Sequence, residues 1–362
     1  KQKTAYEMLR SLVGSEMCIR DRSDMDPGPI YGLVRNPPVA DLFSRFVHAP
    51  TPLHAGDSSP IRIEAGRDII NMQFFLPKQT RISAGRDVKD IYYIGQNTGT
   101  ADTTSISAGR DILFSSDLGG GFATGIEHGG PGVLKVTAGN SIDLGTTKGI
   151  STFGNAYFPA LGAKGSDLFV SAGYTFGPGI THEDIVRFFR ELVAGGDTYS
   201  RLLSAGDATG AEAEINRVRT EVIRPFLGGA ASGTGLINMT TSQVSTSSGR
   251  DDIFMLSAGE INVGRSTFVK EEQRQNTGIF TAAGGGISIY AEGDINVNES
   301  RVMSFRGGDI ALWSNRGNIN AGRGSRTAIN VDPPKVELIG DQYVLVFRPP
   351  AVGSGIRALT YD

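Results

Sequence analysis

Asp251 and Asp252 form the one adjacent acidic pair beside a strand-like segment that is open to a catalytic reading. Paired carboxylates are what a glycoside hydrolase needs, one as proton donor and one as base or nucleophile. Arg250 precedes them, however, and the GRDDI context repeats a turn pattern found elsewhere in the chain, so a structural use competes with the catalytic one. The four histidines, His48, His54, His128 and His182, are never three or four residues apart, so none pairs on a helix face as a metal site would require. There is no G-x-S-x-G elbow. Gly119, Gly120, Gly121 and Gly125 are without the Lys-Ser/Thr ending of a phosphate-binding loop, which leaves a loop between strands as the better reading. No catalytic, cofactor-binding or metal-binding residue is assigned, and a non-catalytic protein is expected.

Composition narrows the classes further. Lys and Arg total 35 against 38 Asp and Glu, for a formal charge of −3, so the basic field that nucleic-acid binding demands is missing. The single cysteine, Cys18, excludes an intrachain disulfide and a cysteine zinc site, and so sparing a use of cysteine suits a secreted bacterial product. The 49 glycines are about twice the usual share of roughly 7%, and they follow no collagen period, which implies many tight turns.

The elements that would carry any such site are set by an internal repeat. RIEAGRDII starts at Arg62, RISAGRDVK at Arg81 and SISAGRDIL at Ser105, with looser copies at Lys135, Leu168, Phe254, Ser288, Phe305 and Trp313. Each alternates apolar residues, turns at Ala-Gly or a nearby Gly, and resumes with Asp or Asn and a β-branched residue. Strand, tight turn, strand is the reading. The turn residues are Gly66, Asp68, Gly85, Asp87, Gly109, Asp111, Gly139, Gly173, Gly259, Gly293 and Asp294. Gly66, Gly85 and Gly109 are expected at φ > 0, with Asp68, Asp87 and Asp111 bonding the turning backbone. Ala65, Ala84 and Ala108 suit a crowded corner. The arginines Arg67, Arg86 and Arg110 are expected to form a solvated column beside the aspartates, each pair contributing about 0–1 kcal/mol. One unit cannot bury its apolar face, so stacking must make the core.

The spacings from Gly66 to Gly85 and Gly85 to Gly109, 19 and 24 residues, suit one coil of a β-solenoid. The chain divides accordingly. Residues 1–22 match nothing downstream and resemble translated sequencing-adapter DNA, so they are set aside as non-native, with an amphipathic N-terminal helix as the alternative. Residues 23–60 form an irregular lead-in, 61–179 and 230–332 form coils of one continuous solenoid, and 180–229 are a helical insertion on its flank. In the insertion Thr181 and Asp184 make a capping box, Ile185, Phe188, Phe189 and Leu192 share a face, and Gly195-Gly196 is expected to end the first helix. A second helix from about Ala211 presents Ile215, Val218, Val222 and Ile223 and stops near Pro225 and Gly228. Pro333-Pro334 is expected to end the repeat, leaving 333–362 as a hairpin around Gly340-Asp341 or a truncated extension.

The stretch TPLHAGDSSPIRIEAGRDI from Thr51, the SAGRDI turns, LSAGEINV, YAEGDINV and NRGNINAG resemble the filamentous haemagglutinin-like family of exoproteins secreted by two-partner systems. The similarity covers most of residues 35–330, and it is to the distal part of the family's outer-membrane-associated members. The resemblance implies an all-β, right-handed parallel β-helix, here with an α-helical insertion. It also implies passage through an outer-membrane transporter and display at, or release from, the cell surface. The work would then be adhesion to glycans or proteins of a host or neighbouring cell, or carriage of a C-terminal toxin. The family's N-terminal secretion motifs and a toxin domain are not found in these residues. A β-helix polysaccharide hydrolase or lyase is the remaining alternative, and it rests on fold analogy.

Overall fold

The protein is described from a computed structural model covering residues 54, 56–115, 124–154, 164–176, 180–228, 230–264, 277–322, 335–339, 342–346 and 355–359. Cys18, His48, Gly119, Gly120, Gly121, the 1–22 segment and nearly all of the lead-in lie outside the described residues.

Three parallel sheets of 8 strands each run the length of the molecule, and each coil contributes one strand to every sheet. Coil 1 is β1 (Ile61–Ala65), β2 (Ile69–Ile70) and β3 (Gln73–Leu76), and coil 2 is β4 (Thr80–Ala84), β5 (Val88–Lys89) and β6 (Tyr92–Gln96). Coil 3 is β7 (Thr103–Ala108), β8 (Asp111–Leu113) and β9 (Gly125–Gly129), and coil 4 is β10 (Gly132–Ala138), β11 (Ser141–Asp143) and β12 (Ile150–Phe153). Coil 5 is β13 (Ser166–Ala172), β14 (Ile237–Asn238) and β15 (Gln243–Thr246), and coil 6 is β16 (Ile253–Ser257), β17 (Ile261–Asn262) and β18 (Gly278–Thr281). Coil 7 is β19 (Ile287–Ala291), β20 (Ile295–Asn296) and β21 (Arg301–Phe305). Coil 8 begins with β22 (Ile310–Ser314) and β23 (Ile319–Asn320). A hairpin, β24 (Lys335–Ile339) with β25 (Gln342–Val346), follows before β26 (Gly355–Leu359) closes that coil.

Register explains why alternating sequence makes this fold. Inward residues stack as columns: Ile63, Ile82, Ile106, Val136, Val170, Met255, Ile289 and Leu312 in the first sheet. In the second sheet the column is Ile69, Val88, Ile112, Ile142, Ile237, Ile261, Ile295 and Ile319. The third sheet's column starts at Phe74 and Tyr93 and runs through Ile126 to Ile356. These columns meet in one continuous core. A slip of one residue would turn each column to solvent, so burial itself pins the register.

The insertion leaves coil 5 between β13 and β14, and the stack continues across it: β13 pairs with β16, and β11 with β14. Its ends are tied together by Ser232 N–H to Gly173 O (2.7 Å) and Thr175 N–H to Ala230 O (2.7 Å). Helix α1 (His182–Ser204) starts with the Thr181–Asp184 capping box and buries Ile185, Phe188, Phe189 and Leu192. It does not stop at Gly195-Gly196. A Cβ on Gly195 would collide with Val218, so Gly195 permits close packing inside the helix, whereas a Cβ on Gly196 would make only an ordinary contact with the Trp313 ring at 3.9 Å. Helix α2 (Ala208–Arg217) starts at its Asp207 cap and leads through a π-helical turn (Val218–Ile223) into the short α3 (Arg224–Leu227). Val218, Val222 and Ile223 are buried, whereas Ile215 is half-buried. Together the helices cover the outer face of the first sheet, against Phe169, Phe254, Leu256 and Tyr290.

Pro333-Pro334 does not end the repeat. The predicted hairpin forms, with Val336 opposite Leu345 and Leu338 opposite Tyr343, but it is an excursion within coil 8, because β26 returns to pair in parallel with β21. Pro333 and Pro334 themselves lie outside the described residues, and an excursion between two sheets leaves intact a stack in which each coil contacts only its neighbours.

Candidate functional site

The repeated turns supply the densest set of specific contacts. Gly66, Gly85, Gly109, Gly139, Gly259 and Gly293 do not take positive φ; of the predicted turn glycines only Gly173 does, at +78°. Their requirement is steric. A Cβ on Gly85 would strike the carbonyl oxygen of Gly66, one on Gly109 that of Gly85, and one on Gly139 that of Gly109. The same corner is bound by Gly85 N–H to Ala65 O (2.8 Å), Gly109 N–H to Ala84 O (2.9 Å) and Gly139 N–H to Ala108 O (3.0 Å). Where the insertion interrupts the column, Gly259 continues it, its Cβ position being blocked by Thr234 O.

The arginine and aspartate columns interlock diagonally. Arg86 reaches back one coil to grip Asp68 with two nitrogens, its Nε at 2.7 Å, and Arg110 does the same to Asp87, again with Nε at 2.7 Å. Asn140 continues the pattern on Asp111 at 2.6 Å. Three of the turn aspartates also serve the next coil's backbone: Asp68 accepts from Asp87 N–H (3.1 Å), Asp111 from Ser141 N–H (3.0 Å) and Asp294 from Asn318 N–H (2.7 Å). The solvated column expected from sequence is therefore corrected. Asp87 is fully buried, Asp68 and Asp111 are half-buried, and the carboxylates join coils where the sequence suggested bonds within a turn. The Arg86 hydrogen bonds hold the Asp68 carboxyl down to about 2, and those of Arg110 hold Asp87 below the usual range despite its burial.

The acidic pair does meet other polar groups, at the foot of the insertion. Asp167, just before the buried part of β13, accepts from Asp252 N–H (2.9 Å) through one oxygen and contacts His182 Nε2 (3.0 Å) through the other. Asp252 in turn accepts from Gly286 N–H (2.7 Å). Asp251 is 1% exposed; one oxygen accepts from Ser248 Oγ (3.2 Å) and the other, Oδ1, is buried without a partner. Burial first, and the Asp167 charge second, push Asp251 up to about 7. A buried carboxyl raised toward neutrality has the electrostatics of a glycosidase general acid. The geometry uses the groups differently: Asp251 is sealed from solvent, and Asp167 and Asp252 spend oxygens on neighbouring coils. Among the described residues no group of three or more His, Cys, Asp or Glu side chains is placed to hold a metal ion. His128 sits in the core with Nδ1 3.3 Å from the Tyr93 hydroxyl, and burial pushes its pKa down to about 3, so its ring is neutral. His54 lies beside Asp57, and Gly125 opens β9 at φ +142°.

Two columns escaped sequence reasoning. Asp143, Asn238, Asn262, Asn296 and Asn320 stack on the outer face of the second sheet, with Asn238 donating to Asp143 (3.0 Å) and Asn296 to Asn262 (3.1 Å). The recurring Ile-Asn pair was their visible signal. Inside the third sheet, His128, Thr152, Thr246, Thr281 and Ser304 share a column. Thr152, Thr246, Thr281 and Ser304 all donate to carbonyls at the corner leading back to the first sheet, Thr152 to Ser166 O at 2.9 Å and Thr246 to Asp251 O at 2.9 Å. No short motif marks them, because the hydroxyls are spread across loops of unequal length.

Among known proteins, residues 307–362 match a family model described as filamentous haemagglutinin family outer membrane protein. No curated protein and no solved structure matches the chain. The matched residues take in β22, β23, the β24–β25 hairpin and β26. Over this last coil and its hairpin the chain is similar to the filamentous haemagglutinin family of outer membrane proteins, the family that its turns resemble.

Proposed function

We propose that the chain is a non-catalytic shaft segment of a bacterial surface exoprotein, exported through an outer-membrane transporter and working by extension and contact. The observation that carries this reading is the continuity of all three sheets across the helical insertion, which makes a rod of the coils. The family match in the last coil supports placement at the outer membrane or cell surface. Glycans or proteins of a host or neighbouring cell are the partners that such a surface would meet; a toxin-carrying stalk would use the same rod. Nucleic acid is an unsuitable partner for a chain of formal charge −3. No cofactor is required.

The test pairs binding with turnover. The purified chain is incubated with cells, surface glycans and polyuronides, and both retention and released reducing ends are measured. Retention without sugar release supports the shaft reading. Sugar release that disappears in Asp251→Asn or Asp252→Asn would establish the hydrolase alternative instead.

A further inference from the structure

Helix α1 runs along the first sheet toward coil 8. Phe189 packs on Phe254 of coil 6 (centroids 5.4 Å), Phe188 on Tyr290 of coil 7 (5.8 Å), and Trp313 of coil 8 packs against the same cluster, its ring 3.9 Å from where a Cβ on Gly196 would sit. The return path regains the coils at Arg219, which donates to Asn315 O and Oδ1 (both 3.2 Å), just after β22. The tip of the helical hairpin between these points therefore projects beyond coil 8. The apolar stripe does not stop there: Ile185, Phe189, Leu192 and Gly196 are followed at the same alternating three- and four-residue steps by Tyr199 and Leu203. Tyr199 is half-buried and Leu203 is 46% exposed. At about 1.5 Å per residue the seven residues from Gly196 to Leu203 cover about 10 Å, the height of about two coils at a spacing of about 4.8 Å.

Coil 8 is open on the same side. Ile310 and Leu312 are half-buried where their counterparts Ile287 and Ile289 are buried, and Ile319 is 44% exposed at the end of its isoleucine column. β22 and β23 are the last strands of their sheets, so their outer edges carry unpaired backbone groups among the described residues.

We propose that this edge and the overhanging stripe form one docking site, and that its occupant is a further parallel β-solenoid coil seated on coil 8 beneath Tyr199 and Leu203. Continuity with the existing interface specifies its chemistry. It carries Ile, Val or Leu in the three inward columns and a large apolar residue above Trp313, as Leu256, Tyr290 and Trp313 do in successive coils. A second copy of this chain fits less well, because its first coil would offer Arg62 and Glu64 on the outward face. The inference is independent of where the protein is displayed, since it concerns only coil-to-coil stacking.

Trp313 is the only tryptophan in the chain and reports the site directly. The probe is a synthetic copy of residues 286–297, GISIYAEGDINV, added to the full chain while Trp313 emission, amide exchange at 310–314 and sedimentation are followed. The expected result is a saturable blue shift, slowed exchange and a one-to-one complex. Leu203→Asp and Tyr199→Asp, which remain folded by circular dichroism, should each weaken binding by about tenfold or more. An unchanged spectrum and exchange pattern overturns the proposal, as does equal affinity for a peptide with aspartate at its tyrosine. A blue shift that grows with protein concentration alone, together with a dimer in sedimentation, would make a second copy the occupant and overturn it as well.

Discussion

Arg110 places its guanidinium on the carboxylate of Asp87 in the preceding coil, an aspartate with no exposed surface. The pair joins adjacent coils at a corner where the backbones are already in van der Waals contact. Removing the carboxylate in Asp87→Ala should take away the acceptor of Lys89 and the inter-coil acceptor of Arg110, which keeps Asp111 at 3.1 Å, and cost about 1–3 kcal/mol, measured by urea unfolding. Asp68 and Asp87 both have folded pKa values below the unfolded carboxyl. Their contribution is present above about pH 4 and is lost as pH falls through the folded values, toward about 2 for Asp68. A melting temperature that stays level from pH 5 to pH 2 would contradict this.

Asp251 has the opposite sign. Its folded pKa is raised to about 7, so its contribution is fully present below about pH 4 and disappears as pH rises through 7. Asp251→Asn mimics the neutral carboxyl and should stabilise the protein above pH 8 by about 2–4 kcal/mol, with little effect at pH 4. Chemical denaturation of the two proteins at both pH values is the measurement, and an equal difference at both would remove Asp251 as the titrating group.

At Gly85 a single methyl is enough to do damage. Because the obstacle is the Gly66 carbonyl, Gly85→Ala should already cost about 1–3 kcal/mol, and Gly85→Val more. Gly206 is the control: it has φ +80° and nothing within 4 Å of a Cβ, so Gly206→Ala should cost about 1 kcal/mol from backbone strain alone. A small loss at Gly85 that matches Gly206 would argue against crowding between coils.

Phe188 holds the insertion to the rod through an edge contact with Tyr290 (5.8 Å) and holds α1 to α3 through a stacked contact with Phe226 (4.4 Å). Phe188→Ala should cost about 3–5 kcal/mol within the insertion. Hydrogen exchange should then speed up across 182–227 while β1 to β12 keep their protection, because distant coils do not share contacts with the helices. Uniform loss of protection would show that rod and insertion unfold as one unit.

The sequence by itself determined the coil: alternation of apolar residues sets which side chains face inward, and a recurring Gly turn, written Ala-Gly-Arg-Asp in the first three coils, marks the corners because stacked coils meet a similar steric demand there. It also determined the helices, whose capping box and 3.6-residue stripe are local. Only the tertiary structure decided what each corner residue does, since the partner of Gly85 is Gly66 and that of Arg110 is Asp87, residues that become neighbours only when one coil stacks on another. The same holds for α1, which continues through Gly195-Gly196 because close packing of Gly195 against Val218 outweighs the weak helix propensity of glycine. It holds again for β26, brought back to coil 8 after two prolines, and for the burial of Asp251. Alternation and capping act within a few residues and are written in the chain, whereas contacts between coils depend on loop lengths that no local pattern encodes.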